Sequence, residues 1–167
     1  MPLGIFCSGD KVSKHSFPSY MSNFDRYSIL PTLSLNGILH SEVFNHAITG
    51  ADFCMFVAGL LDHMQPWPLP NSVLVMDNAA IHKVDGIWEM IEECGACLIY
   101  RLAYSPDLNP IEEAFSSIKV WLRANCNYVL SEVEGCGADP YRVIWEPIYS
   151  VTPEDAFGWY QHSEYIG

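Results

Sequence analysis

Positive charge is scarce in this sequence: 8 Lys and Arg against 20 Asp and Glu leave a formal net charge of -12 over 167 residues. Affinity for a polyanion comes largely from basic contacts to phosphates, so this balance argues against tight, nonspecific binding of nucleic acid. The deficit is uneven. Residues 1–130 hold 13 acids and 7 bases, whereas residues 131–167 hold 7 acids and 1 base. Long apolar runs are missing as well. None approaches the roughly 18–20 residues a bilayer span needs, so no membrane-spanning helix is expected. The start, Met1-Pro2-Leu3-Gly4-Ile5-Phe6, has no basic segment and soon meets Ser8-Gly9-Asp10-Lys11, so a secreted protein is not expected. There is no Gly-x-Ser-x-Gly elbow, no phosphate-binding glycine loop and no His-Glu-x-x-His string, which removes the commonest hydrolase, nucleotide-binding and zinc-protease signatures. Cys94-Gly-Ala-Cys97 has the spacing of half a zinc site, but no second pair completes it. Free thiols are expected, with Cys54 a small core residue.

What the chain does have is apolar content. Half of its residues are hydrophobic, enough for one well-filled core. Tyr27 to Leu35 reads as a strand, with Pro31 marking an edge or an irregularity. Asn36-Gly37 is a hairpin turn, and the return strand runs from Ile38 to about Ala47. Residues 51–64 place Phe53, Phe56, Val57, Leu60, Leu61 and Met64 at helical spacing. Pro66, Pro68 and Pro70 then exclude regular structure. Val73-Leu74-Val75-Met76 is apolar at every position, as a strand covered on both faces must be. A short helix over 84–94 and a buried strand, Cys97 to Tyr100, follow. Residues 110–124 form the clearest helix: Asn109 as cap, Pro110 in the first turn, and Ile111, Phe115, Ile118 and Leu122 as the apolar stripe. Beyond Leu130, Gly135, Gly137 and Pro140 suggest an irregular crossing. Thr152-Pro153-Glu154 opens a terminal helix through Trp159, and Trp145, Trp159 and Tyr160 are the expected anchors of a looser tail. The order of elements implies an α/β fold with a mixed sheet flanked by helices.

Two carboxylates stand where chemistry could occur. Asp77 ends the apolar strand at 73–76, and ligands of open α/β sheets bind beside the carboxyl ends of strands. It reads equally as an Asp-Asn loop start satisfying nearby amides. Glu112 falls at the third position of the helix opened by Asn109, where an acid closes a capping box. It reads also as a rigid carboxylate opposite the strand end, as a metal-assisted phosphoryl-transfer site requires. Glu113 points elsewhere and is expected to be solvated.

Between them lies Tyr104-Ser105-Pro106-Asp107-Leu108-Asn109-Pro110-Ile111-Glu112. This string resembles the signature around the last catalytic acid of mariner-like transposases, members of the DDE endonuclease superfamily. Asp77-Asn78-Ala79-Ala80-Ile81-His82 is similar to that family's motif around its second catalytic Asp. The 34 residues between Asp77 and Glu112 match a spacing the family shares. Lys119, Trp121, Leu122 and Arg123 fit its helix pattern, and the resemblance covers residues 4–125 or so. It implies a ribonuclease-H-like core that cuts and rejoins DNA, with two Mg2+ or Mn2+ ions held by three carboxylates. Asp77 would be the second of these ligands and Glu112 the third. Asn78 and His82 would be accessory. Lys119 and Arg123 share a helical face with Glu112 and Ser116 and would meet DNA phosphates, unless they form only a solvated stripe favourable to the helix dipole. DNA is the implied partner, and the nucleus of a eukaryotic cell, or otherwise the cytoplasm, the implied location.

The sequence departs from the family in two ways. The first catalytic Asp of the family lies on an initial strand before the region resembling Gly4 to Lys11, so the expected core is N-terminally truncated. Asp10 reads as part of a turn and Asp25 as preceding a strand, so neither replaces it. Helix-turn-helix segments for holding DNA ends are absent. The expectation is residues 1–130 as an incomplete DDE core, with 131–167 an acidic extension carrying the terminal helix. A central sheet position would stand empty or be filled by another chain in a homo-oligomer. DNA binding would be weak or absent and catalysis lost. The alternative is a non-catalytic remnant or co-opted scaffold that keeps the fold.

Overall fold

The computed structural model describes residues 5–7, 10–12, 27–77, 85–101, 108–134 and 140–166. Two three-residue strands come first, Ile5–Cys7 (β1) and Asp10–Val12 (β2). The hairpin follows as expected, Tyr27–Ser34 (β3) turning into Gly37–Phe44 (β4). Gly37 has φ 100°, and a Cβ there would lie 2.9 Å from the Val151 carbonyl oxygen, so both the turn and the neighbouring backbone exclude a side chain. A helix, Gly50–Leu61 (α1), leads to Val73–Met76 (β5), a second helix, Ile87–Glu93 (α2), and the strand Cys97–Tyr100 (β6). Four helices complete the chain: Pro110–Ala124 (α3), Cys126–Glu134 (α4), Pro140–Tyr149 (α5) and Pro153–His162 (α6).

The strands form one mixed six-stranded sheet. β3 carries β4 antiparallel on one edge, and on the other edge it pairs first with β2 and then with β1. β1 continues into parallel pairing with β5, and β5 into parallel pairing with β6. The sheet therefore has no empty position beside β5, contrary to the sequence expectation: Ile5–Cys7 fills it. Asp10, expected in a turn, opens β2 and pairs with Ile29. Pro31 marks an irregularity, not an edge. It pairs with Ser41 of β4 and falls between the β1 pairings at Thr32 and Leu33 and the β2 pairing at Ile29, and the β4 register shifts at Thr32/Leu33. β6 ends the sheet, so Ile99 and Tyr100 are exposed where a buried strand was expected.

Alternation divides β5 between two cores. Leu74 and Met76 join Ile5, Cys7 and Leu30 under Phe53, Phe56, Val57 and Leu60 of α1 and Ile87 and Ile91 of α2. Val73 and Val75 join Phe6 and Leu33 under Ile111, Ala114 and Phe115 of α3 and Ala156 and Tyr160 of α6. α1 and α6 begin with complete capping boxes, Thr49 with Asp52 and Thr152 with Asp155. Cys54 is only half-buried. No described helix is long and apolar enough to cross a membrane.

The segment after Leu130 is better built than the sequence suggests. α5 buries Val143, Ile144, Pro147 and Ile148, a helical stripe that packs with Ile118 and Leu122 of α3, Val129 of α4, and Tyr27 and Ile29 of β3. Pro140 is not a break, because a helix tolerates proline at its first position, and Pro147 inside α5 does not end it. Tyr160, an expected anchor, is fully buried, and its hydroxyl donates to the Leu33 carbonyl oxygen at 2.9 Å. Trp145 and Trp159 are partly buried. Replacing Tyr160 by Phe removes one buried hydrogen bond and should cost about 1 kcal/mol. Tyr160→Ala, which also empties the site of the ring, should cost about 3–5 kcal/mol. Urea unfolding of the two variants measures both, and equal stabilities would show that α6 does not hold the sheet.

Candidate active site

Parallel pairing brings three strand ends to one edge of the sheet. Cys7 lies beside Met76 and Met76 beside Tyr100, so Asp77 emerges between the ends of β1 and β6. The Arg101 backbone N–H donates to the Met76 carbonyl oxygen at 2.8 Å, which holds the Arg101 main chain at the same edge as Asp77. Asp77 is half-buried directly beyond the end of β5. Its charge is felt next door. The Cys7 thiol is pushed up to about 12, first by complete burial and further by the carboxylate of Asp77.

Glu112 stands in the first turn of α3, whose Ile111, Ala114 and Phe115 share an apolar cluster with β1, β3 and β5. Asn109 does take the N-cap position, in extended backbone, and its carbonyl oxygen accepts from the Glu112 N–H at 3.0 Å. The capping box is not formed, however, since the Asn109 side chain makes no cap bond. Its amide Nδ2 instead donates to Glu112 Oε1 at 3.3 Å. The Glu112 carboxylate is thus oriented by a buried side chain while the residue stays exposed. A carboxylate that is held but solvent-facing is suited to ligation. Glu113, expected to be solvated, keeps 38% of its side chain exposed, with the His162 Nδ1 2.7 Å from its Oε1.

Of the accessory candidates, Ser116 and Arg123 are exposed and Lys119 half-buried, opposite the stripe of Ile111, Ala114, Phe115, Ile118 and Leu122. Glu112, Ser116, Lys119 and Arg123 thus share the side of α3 turned away from its buried stripe. Asn78 and His82 lie outside the described residues, as does most of the string from Tyr104 to Asp107. The side chain of Asp10 is likewise not described. Cys94 and Cys97 are free thiols, and the described residues contain no group of three or more His, Cys, Asp or Glu able to hold a metal ion.

Three residues at this edge escaped the sequence reading. Asn109 was assigned to the backbone, although its spacing of three from Glu112 also permits a side-chain bond. Arg101 is a base directly after a strand that parallels β5. Tyr165 gives no sequence signal: it follows α6, yet its hydroxyl donates to the Leu108 carbonyl oxygen at 3.1 Å and its ring meets Phe6 edge-on at 4.8 Å. The donor set itself is all oxygen, which suits a hard divalent cation in kind. Asp77 and Glu112 fall short in number, because such ions take about six oxygens.

A family model described as DDE superfamily endonuclease matches residues 11–131. Comparison with curated proteins finds no match. Among solved structures, the catalytic domain of Mos1 mariner transposase is similar at 15% identity and a TM-score of 0.57, over 95% of this chain and 81% of that one. The same domain with raltegravir and Mg is similar at 15% identity and a TM-score of 0.56, over 95% and 82%. The Mos1 mariner paired-end complex with Mn is similar at 16% identity and a TM-score of 0.58, over 98% of this chain but 56% of that one. The chain thus spans most of the isolated domain and just over half of the longer protein. Placement of β1 beside Asp77 is checked by thiol labelling: at pH 8, iodoacetamide should modify exposed Cys94 and spare Cys7 until denaturant is added. Equal labelling rates in the native protein would mean that β1 does not occupy this position.

Proposed function

This chain belongs to the DDE superfamily of endonucleases, with a mariner-like transposase fold, and we propose that it carries the Asp77–Glu112 half of a two-ion DNA-cleaving centre. The observation that carries the reading is the pairing of positions. Asp77 ends β5 at the sheet edge, and Glu112 opens the helix packed in the same apolar cluster. Asp77 and Glu112 would hold Mg2+ or Mn2+, the ions present in the similar Mos1 structures. When bound, such ions lower the pKa of an attacking water and offset charge on the phosphorus. Asn109 orients Glu112, limiting the conformations its carboxylate must give up on binding. Arg101 at the strand edge and Lys119 and Arg123 on α3 would meet DNA phosphates on either side of the cleaved bond. In a eukaryote the chain would act in the nucleus.

We further propose that the chain by itself does not cleave DNA. The strand that pairs β5 on the side away from β6 reads Ile-Phe-Cys and itself carries no acid. Two carboxylates leave ions loosely placed, and in-line displacement depends on their fixed geometry. A charge of -12 also opposes approach of the substrate. The same observations favour the second reading, a non-catalytic scaffold that keeps the fold.

Supercoiled plasmid incubated with the purified chain and Mg2+ or Mn2+ should remain uncut. Nicking that disappears in both Asp77→Ala and Glu112→Ala would overturn the proposal of inactivity and support a complete centre. Mn2+ should nevertheless bind weakly, and each substitution should weaken it by roughly tenfold or more. Affinity unmoved by either change would remove both residues from the site.

A further inference from the structure

The residues after α6 are fastened to the candidate site by contacts that a simple C-terminal extension does not need. α6 ends in a Schellman turn: the Glu164 N–H donates to the Gln161 carbonyl oxygen and the Tyr165 N–H to that of Tyr160, both at 3.0 Å. The residue in the left-handed position is Glu164, at φ 64°, where glycine is the usual occupant. This turn reverses the chain and sends Tyr165 back over the sheet. There its ring packs edge-on against Phe6 at 4.8 Å and near Tyr160 at 6.3 Å. Its hydroxyl reaches the Leu108 carbonyl oxygen at 3.1 Å.

Both ends of that bridge touch the proposed centre. Phe6 belongs to β1, the strand paired with β5 just before Asp77. Leu108 immediately precedes Asn109, whose amide holds Glu112. Among the described residues, strand and helix share the apolar cluster of Phe6, Val73, Val75, Ile111, Ala114 and Phe115, which sets contact more than orientation. A hydrogen bond and a T-shaped ring contact are directional.

We propose that Tyr165 is a positioning residue that sets the spacing of Asp77 and Glu112 by tying β1 to the residue that leads into α3. The inference rests on the reading of Asp77 and Glu112 as metal-holding carboxylates. Tyr165 does not itself bind the ion. It works through Leu108 and Asn109 on one side and through Phe6 on the other. His162 beside Glu113 reinforces the same attachment one turn earlier in α6. The segment is thereby coupled to the site, and a change that lifts it off would loosen Glu112 without touching it.

The test uses the full chain with two variants, Tyr165→Phe and Tyr165→Ala, and two readouts. Free Mn2+ is followed by its electron paramagnetic resonance signal, and amide hydrogen exchange is followed at residues 109–113. Tyr165→Phe keeps the ring and loses the hydroxyl bond, so Mn2+ affinity should fall about fivefold. Tyr165→Ala loses both contacts and should cost roughly tenfold or more, in the range for residues that orient ligands. Exchange at 109–113 should quicken in both while exchange in β5 stays slow. Wild-type affinity together with wild-type exchange in Tyr165→Ala overturns the proposal. If Tyr165→Ala does not fold, Tyr165→Phe decides by the same two criteria. If Asp77→Asn and Glu112→Gln bind Mn2+ as tightly as the unaltered chain, the metal-site reading fails. The exchange result then judges the coupling alone, with unchanged rates at 109–113 overturning it.

Discussion

Everything at the candidate site depends on β5 being bonded on both edges and covered on both faces. Its four residues have no exposed side, so all must be apolar, and the first polar residue, Asp77, comes where the cover ends. Parallel neighbours on either side then fix what stands next to that acid. With β1 and β6 both running in the same direction as β5, all three release their chains at one rim. Antiparallel neighbours would have brought their first residues, not their last, to that rim. The apolar cluster under α3 supplies the remaining condition by bringing a helix N-terminus, and Glu112 with it, against the same sheet face.

This arrangement favours charge that is held rather than buried. Asp77 is half-buried and Glu112 exposed, so neither pays the large desolvation cost of an interior ion. Orientation comes instead from neighbours: the Asn109 amide on Glu112, and the strand end on Asp77. Cys7 shows the other extreme on the same rim, a fully enclosed thiol kept protonated by burial and by the adjacent negative charge. A site of this kind tolerates loss of function without loss of fold, because its core contacts and its charged groups are separate sets of atoms.

Much of this was legible in the sequence because it is periodic or punctuated. The unbroken run at 73–76, the Asn36-Gly37 turn and the stripe of α3 each follow from one local rule. α5 was not legible, although Val143, Ile144, Pro147 and Ile148 have helical spacing, because three residues that commonly break structure surround its start and a proline lies inside it. The place of Ile5–Cys7 was hidden for a different reason. Three apolar residues fit many strands, and only the completed sheet shows which position they fill. Asp77 and Glu112 stand out by their places at a strand end and a helix start, and by two motifs whose acids are separated by 34 residues. Arg101 and Tyr165 depend on contacts between distant segments, for which a single sequence carries no periodicity to detect.

The bond from Tyr160 to Leu33 closes a separation of 127 residues, and Tyr165 reaches still further back to Phe6. That has a consequence for the chain as it is made. The hairpin and α1 can form early, since their contacts are local, but the face of the sheet beneath Tyr160 stays uncovered until α6 has been synthesised. Loop closure over such a length adds little free energy per doubling, about 0.6 kcal/mol, so the penalty is one of time more than of stability. Until then a nascent chain would have only α3 to cover Phe6, Leu33, Val73 and Val75, and it would be most open to chaperones just before α6 emerges.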